Sequence, residues 1–210
     1  MRAFWRLAGA CAVIGLLALG AMWWLGDFPA RQATAPPTEP FQDWKRKHAR
    51  DVDRYHVFLR QQGVADVLAM EELLRLGRRW KTCGSGEFSV PPPEKWRAIV
   101  PTLRLLADLR KSGHLERFRI ASSYRGAAYN RCEGGSQASR HLSNQALDLD
   151  LSQSSKTSVA ALCAAWRRIG PSRSWGLGFY SSNQVHLDTA GFRTWGTDFH
   201  GKTSLCNRRD

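Results

Sequence analysis

Residues 139–152 read SRHLSNQALDLDLS, and within residues 146–151 leucine occupies every second position, with Ala146, Asp148 and Asp150 between. Successive side chains of a strand point to opposite faces, so the leucines can enter a core while Asp148 and Asp150 share the other face. A solvated polar face is the common outcome for such a strand. His141, seven residues before Asp148, indicates a second interpretation, in which imidazole and carboxylate groups form a site.

A second candidate strand, residues 184–190 with the sequence QVHLDTA, carries a similar spacing. His186 and Asp188 are two residues apart and therefore face one side of a strand. Two such strands could offer imidazole and carboxylate groups to a common face. Two imidazoles and one carboxylate, with a fourth position open to water, make the ligand set of a catalytic zinc site. Bound zinc lowers the pKa of its water toward about 7 and polarises a scissile carbonyl.

Length and composition predict one folded domain with appendages. The chain has 210 residues, a formal net charge of +13 and nine tryptophans. A basic, aromatic-rich protein suits anionic partners such as nucleic acid, phospholipid headgroups or a bacterial cell wall, and charge alone does not choose among them.

The N-terminal segment predicts a membrane anchor. Residues 7–25 carry no charge, and at about 1.5 Å per residue a helix of this length spans a hydrocarbon core of about 30 Å. Residues 1–6 would form a cytoplasmic stub, because Arg2 and Arg6 precede the run. The cores of secretory signals usually run about 7 to 15 residues. An uncleaved anchor is therefore favoured, with cleavage and secretion as the alternative.

Beyond the anchor, the sequence predicts an α+β domain. A proline-rich tether over residues 26–40 leads into a domain over residues 41–210. Apolar residues recur at spacings of three or four over residues 41–115, which predicts helices. Short candidate strands follow over residues 118–196, with one helix among them near residues 159–169. This order favours a small antiparallel sheet that carries the zinc site and is packed with helices.

Two details of the helical region can be checked against the structure. The apolar run over residues 67–76 is predicted to be helical and to stop at Gly77. Pro101, inside another helical stripe, predicts either a kink or a fresh helix start.

Four cysteines beyond the anchor, Cys83, Cys132, Cys163 and Cys206, form an even set without a CxxC spacing. An oxidising compartment would let them pair. Cys83 with Cys132 and Cys163 with Cys206 are the favoured pairs, and reduced buried thiols are the alternative.

Three ordered motifs resemble one known family. Residues 139–148 resemble the S-x-H-x-x-G-x-A-x-D signature of the zinc D-alanyl-D-alanine peptidases. The superfamily of these enzymes also contains murein endopeptidases and the Hedgehog signalling domain. Upstream, residues 122–125 resemble that family's S-x-Y-R segment. Downstream, residues 176–180, 185–189 and 193–195 are similar to its final strand block, so the resemblance covers roughly residues 118 to 196.

The resemblance implies a set of site residues. The implied zinc ligands are His141, Asp148 and His186. Arg125 would hold a substrate carboxylate, or the carbonyl oxygen that gains charge in the transition state, because a guanidinium stays charged and donates paired hydrogen bonds. The remaining implied substrate-binding residues are Tyr124, Ser139 and Trp195.

The sequence departs from the family pattern at two places. Asn144 stands where the signature has glycine, which is tolerable if the backbone there is left-handed. Some relatives carry a catalytic base as Glu three residues before the last ligand, or as His two before it, and these positions are Asn183 and Gln184. Neither side chain can act as a base. Asp188 is therefore the candidate for proton transfer or for support of a ligand, with Asp150 in reserve.

The function expected from this resemblance is hydrolysis of D-alanyl bonds in peptidoglycan stem peptides or cross-links, by a zinc peptidase of carboxypeptidase or endopeptidase type. Anchor and cysteines together predict a single-pass protein of a bacterial inner membrane with its catalytic domain in the periplasm. The alternative is a catalytically impaired peptidoglycan-binding protein with the same fold. A nucleic-acid binder is disfavoured, because only charge supports it and the domain is expected across the membrane.

Overall fold

The computed structural model describes residues 36–152 and 159–207. The predicted anchor over residues 7–25 and most of the predicted tether lie outside these ranges. Among the residues described, no helix is both long and apolar enough to cross a membrane.

Helices occupy the first half of the described chain. They are α1 (Glu39–Lys47), α2 (Ala49–Gln61), the single-turn α3 (Met70–Leu73), a 3₁₀ helix (Pro93–Ile99) and α4 (Val100–Lys111). Pro101 lies in the first turn of α4, where a missing backbone N–H costs nothing. The expected fresh helix start is therefore confirmed, and the kink is not observed.

The segment after α3 differs from its predicted helix. Residues 67–76 were predicted to be helical throughout, but only Met70–Leu73 form a helical turn. The backbone N–H of Leu76 donates to Glu87 O at 2.9 Å, and the N–H of Ser89 donates to Leu74 O at 2.9 Å. Pairing with this distant segment therefore replaces the helical hydrogen bonds, an override that local periodicity does not reveal.

The second half contributes one sheet and two helices. Its strands are β1 (Arg119–Ser122), β2 (Ala146–Asp150), β3 (Gly176–Phe179), β4 (Gln184–Asp188) and β5 (Arg193–Trp195), in the spatial order β1-β2-β4-β3-β5. The helices are α5 (Ala127–Cys132) and α6 (Val159–Arg173), and a short 3₁₀ helix spans Gly201–Thr203. An α+β fold is thus confirmed.

The sheet is mixed, which corrects the prediction of an antiparallel sheet. β1, β2, β4 and β3 pair antiparallel, but β5 pairs parallel with β3. Both edges of β4 are occupied, by β2 and by β3, so the chain that leaves β4 cannot fold back beside it. It returns to the open edge of β3 instead. A strand that reverses direction after β4 then runs parallel to β3, because β3 and β4 are themselves antiparallel.

The two faces of the sheet differ in chemistry. On the three central strands, the leucine face joins the main core, where Leu147 pairs with Leu187 and Leu149 with Val185. Packed against it are residues of α2, the first 3₁₀ helix and α4, among them Tyr55, Leu59, Ile99 and Leu103. The opposite face carries the polar residues of β2 and β4. Asp148 is only 4% exposed, so the alternative of a solvated polar face is wrong.

Two disulfides connect helices of the second half to other segments of the chain. Cys83 is bonded to Cys132, and Cys163 is bonded to Cys206, with Cα–Cα distances of 5.9 and 5.1 Å. Both favoured pairs are therefore confirmed. The first disulfide ties the loop after residue 77 to the last residue of α5, and the second ties α6 to the C-terminal segment.

We expect removal of the first disulfide, by replacing Cys83 and Cys132 with serine, to lower the free energy of unfolding by about 4 kcal/mol, because its loop spans 49 residues. Denaturant unfolding of the full-length protein measures this. Cys11→Ser is the matched control, since Cys11 belongs to neither disulfide. An unfolding free energy equal to that of the control would contradict the prediction.

Candidate active site

Three buried polar side chains from two strands and one loop meet at the polar face of the sheet. Asp148 of β2 lies directly opposite His186 of β4 in the strand register. His141 comes from the loop before β2. Their exposed fractions are 4%, 4% and 1%. Each offers one ligand atom, and these atoms all lie within 4.8 Å of one another.

Backbone geometry fixes the position of His141. Its Nδ1 lies 2.6 Å from Ser123 O, so Nδ1 carries the proton and Nε2 carries a lone pair. Nε2 lies 3.1 Å from Asp148 Oδ1 but is buried without a hydrogen-bond partner in the described chain. Three residues later, Asn144 has a φ of 56°. The expected left-handed backbone at this departure from the signature is confirmed.

His186 is held in the opposite tautomer. Its Nε2 lies 2.9 Å from Asp188 Oδ2, and its Nδ1 lies 3.0 Å from Asp148 Oδ1. A proton on Nε2, donated to Asp188, leaves the lone pair of Nδ1 directed at Asp148. The two histidines therefore turn different nitrogens toward the same carboxylate oxygen.

This donor set fits a metal ion. Lone pairs that converge on one point repel each other unless a proton or a cation lies between them. Ligands of a tetrahedral zinc ion, bonded at about 2.0 to 2.1 Å, stand roughly 3.3 Å apart. Separations of 3.0 and 3.1 Å to Asp148 Oδ1 are close to that value. The family resemblance predicted these three residues as ligands, and the structure places them close enough together to hold a metal.

The pKa shifts of the three side chains also suit metal binding. Burial lowers the pKa of His141, which favours the neutral imidazole. Burial alone would raise the pKa of Asp148, but the charges and hydrogen bonds of the two histidines lower it well below its ordinary value. For His186, hydrogen bonds to Asp148 and Asp188 outweigh burial and raise the pKa. A metal ion would replace the proton that His186 otherwise shares with Asp148.

Arg125 contacts Asp148 Oδ2, the carboxylate oxygen that the histidines do not contact. Its Nη2 donates to Asp148 Oδ2 at 2.5 Å, and its Nε donates to Ser122 Oγ at 2.7 Å. Nε also lies 3.1 Å from Glu133 Oε2. Within the described chain, Nη1 makes no hydrogen bond and Nη2 has a second N–H, so both nitrogens could still donate to a substrate oxygen. The observed contacts orient the Asp148 carboxylate.

A cavity of about 470 Å³ opens beside the cluster. Asp148 and His186 form part of its lining, together with two of the predicted substrate-binding residues, Ser139 and Trp195. The Trp195 ring lies 5.5 Å from the His186 ring. A side chain at Gly178, opposite His186, would overlap the Trp195 ring, since a Cβ there would lie 2.0 Å from it.

Tyr124 is not brought to the cavity. It is absent from the lining, and the Lys95 ammonium lies 5.3 Å from the centre of its ring. Tyr124 is therefore adjacent to Arg125 in the sequence but does not share the cavity with it. Its predicted substrate-binding role has no support from the geometry.

Asp188 lies behind the His186 ring. It is fully buried, and its carboxylate accepts hydrogen bonds from His186, from Arg193 at 2.6 and 3.0 Å and from the N–H of Ala190 at 2.8 Å. The two-residue spacing correctly put Asp188 on the same face as His186. Its oxygens, however, meet the ring nitrogen that points away from the cluster. This geometry favours support of a ligand over proton transfer.

Several residues of the cavity were missed by the sequence analysis. They are Arg78, Glu133, Arg140, Tyr180, Arg193 and Phe199. Tyr180 and Arg193 belong to the family-like strand block and could have been considered there. Arg140 occupies a variable position of the signature, between Ser139 and His141, and Glu133 carries no periodic or motif signal. The reserve residue Asp150 is absent from the lining, and its Oδ1 accepts the N–H of Ser152 at 2.9 Å.

Comparison with known proteins agrees with this geometry. No curated protein matches the chain. The family model described as Peptidase M15 matches residues 68–188, more than half of the chain. The matched region contains the three residues of the cluster, Arg125 and Asp188. The resemblance seen in the sequence motifs is confirmed, and the chain belongs to the peptidase M15 family.

Proposed function

We propose that this protein is a zinc peptidase that hydrolyses D-alanyl bonds in peptidoglycan stem peptides or cross-links. The observation that carries the proposal is the convergence of two imidazole nitrogens and one carboxylate oxygen beside an open cavity. Peptidases of the M15 family are metal-dependent, and membership of this family supports a substrate derived from peptidoglycan. The nitrogen and oxygen donors match zinc among the common metals.

The chain's own residues have distinct parts in this mechanism. His141, Asp148 and His186 would hold the zinc ion, which when bound supplies Lewis acidity and an activated water. Arg125 holds Asp148 in place, and Asp188 holds the ring of His186. Such outer partners fix the orientation and basicity of metal ligands.

The charge of the cavity suits an anionic peptide. Arg78, Arg125, Arg140 and Arg193 line it, against the carboxylates of Glu133 and Asp148. Arginine binds carboxylates through paired, charge-assisted hydrogen bonds. Peptidoglycan stem peptides carry free carboxylates, so this lining supports the proposed substrate class.

Two observations support a periplasmic location. Both disulfides close within the domain, and structural disulfides persist in oxidising compartments. The uncharged run of residues 7–25 is long enough to anchor the chain in the inner membrane. We therefore propose a single-pass protein whose catalytic domain faces the periplasm.

One observation favours the alternative of an impaired peptidoglycan-binding protein. Asn183 and Gln184 occupy the positions where some relatives carry a base, and Asp188 is fully engaged behind the His186 ring. A protein without any base would bind wall peptides and leave them uncut.

Digestion of purified peptidoglycan by the full-length protein tests the proposed function. We expect release of D-alanine, or loss of cross-linked muropeptides, by mass spectrometry. A chelator should abolish the reaction and added zinc should restore it. The first product would identify a carboxypeptidase and the second an endopeptidase. Binding to sedimented peptidoglycan with unchanged muropeptides would instead support the impaired alternative.

Zinc binding through the cluster is a second prediction. His141→Ala removes one of three ligands and leaves two, so we expect the zinc content of the purified protein to fall from about one ion to well below half. Elemental analysis measures it. His48→Ala is the control, because His48 is exposed and lies far along the chain from the cluster. Equal zinc contents in both variants would refute the ligand assignment.

Asp188→Asn distinguishes the two roles considered for Asp188. Without its charge, residue 188 would hold the His186 ring less firmly and would lose its ion pair with Arg193. We therefore expect zinc affinity to fall by about 10- to 100-fold, and activity to fall with it. A competition titration with a chelator measures the affinity, and Asp108→Asn, at an exposed ion pair, is the control. Unchanged zinc affinity with turnover lowered by about 100-fold would instead identify Asp188 as the base.

A further inference from the structure

Peptide hydrolysis needs a group that accepts a proton from the attacking water and returns it to the leaving amine. Among the described residues, two carboxylates line the cavity, and they belong to Asp148 and Glu133. Asp148 is committed to the cluster and to Arg125. Asp188 and Asp150 are absent from the lining. Glu133 is thus the carboxylate at the cavity that has no metal-binding role.

Contacts of Glu133 place it beside the cluster. Its Oε2 lies 3.1 Å from Arg125 Nε, and Asp148 Oδ2 lies 2.5 Å from Arg125 Nη2. Glu133 and Asp148 therefore contact the same guanidinium group. The Glu133 side chain is 14% exposed.

Hydrogen bonding leaves Glu133 with spare acceptor capacity. The N–H of Arg125 Nε is directed to Ser122 Oγ at 2.7 Å, and Glu133 Oε2 is buried without a hydrogen-bond partner in the described chain. Oε1 accepts only a long bond, 3.3 Å, from the N–H of Arg78. The ion pair with Arg125 and the nearby Tyr129 hydroxyl compensate Oε2 for its burial. Because Glu133 lines the cavity, its carboxylate can in addition accept a hydrogen bond from a water there.

We propose that Glu133 is the general base of this peptidase, an inference that rests on the proposed function. Its carboxylate accepts a proton from the water as the water oxygen bonds to the peptide carbonyl carbon. The same proton then passes to the amide nitrogen as the carbon–nitrogen bond breaks. Glu133 regains its charge as it gives up this proton. The products are a carboxylic acid, which then loses its own proton to solvent, and a free amine.

Charged and titratable groups from four segments face Glu133. Arg125, which follows β1, forms an ion pair with it. Burial raises the pKa of the Tyr129 and Tyr180 hydroxyls, and the negative charge of Glu133 raises both further. The backbone N–H of Arg78 donates a weak hydrogen bond to Glu133.

Glu133→Gln removes the base and keeps one acceptor oxygen, which can face either Arg125 or the N–H of Arg78. We expect turnover to fall by roughly 100-fold or more, an unchanged zinc content and loss of the acidic limb of the pH profile of kcat/KM. Glu133→Asp should retain that limb at a reduced rate. Glu94→Gln, which removes an exposed carboxylate in the first 3₁₀ helix, is the matched control.

A binding measurement tests Glu133 without any turnover. Acetohydroxamic acid loses its proton when it binds a zinc ion, and a base in the site retains that proton. Calorimetry in two buffers of different ionisation enthalpy, at about pH 6, below the pKa of about 7 for zinc-bound water, counts the protons released to solvent. We expect close to none from the wild type and the Asp variant, and about one from the Gln variant.

The two proposals can fail separately. A wild type that cuts no peptidoglycan would overturn the proposed substrate, while the proton count would still decide the role of Glu133. A Gln variant that releases no more protons than the wild type, or that keeps the acidic limb, would overturn Glu133 as the base. It would then be a residue that positions Arg125.

Discussion

The carboxylate of Asp148 is the interaction on which the site depends. One oxygen receives the ligand nitrogens of His141 and His186, and the other receives the guanidinium of Arg125. The charge of Asp148 is stable in a buried place because these cationic and polar partners surround it. Its removal would leave a buried guanidinium and two imidazoles facing one another. The pairing of β2 with β4 sets this geometry, since it fixes Asp148 opposite His186.

The rest of the site is arranged in successive layers around that carboxylate. Ser123 O and Asp188 fix the tautomers of the two histidines, and Arg193 in turn holds Asp188 through two hydrogen bonds. These contacts satisfy the outer ring nitrogens of His141 and His186 and the carboxylate of Asp188, which stabilises a buried polar network. The ligand side alone stays open, toward the cavity. A rigid scaffold with one unsatisfied side suits the binding of a metal and a substrate.

Local sequence patterns predicted those features of the fold and site that are set by residues close together in the sequence. The period of two identified β2 and β4 and the faces of Asp148 and His186, and the signature located His141 and the left-handed turn at Asn144. Longer-range features were not predictable in this way. The parallel edge strand β5 follows from occupied neighbours, and the orientation of the Asp188 carboxylate follows from its pairing with Arg193. Glu133 reaches the cavity through loop packing, which leaves no periodic trace in the sequence.

The disulfide between Cys83 and Cys132 connects this site to the redox state of its surroundings. Cys132 is the last residue of α5 and Glu133 follows it directly, so the bond holds one wall of the cavity from the outside. In a newly synthesised, still reduced chain, noncovalent contacts alone would hold that wall. Reduction of this bond would therefore loosen one wall of the cavity without altering any of the three side chains that could hold a metal.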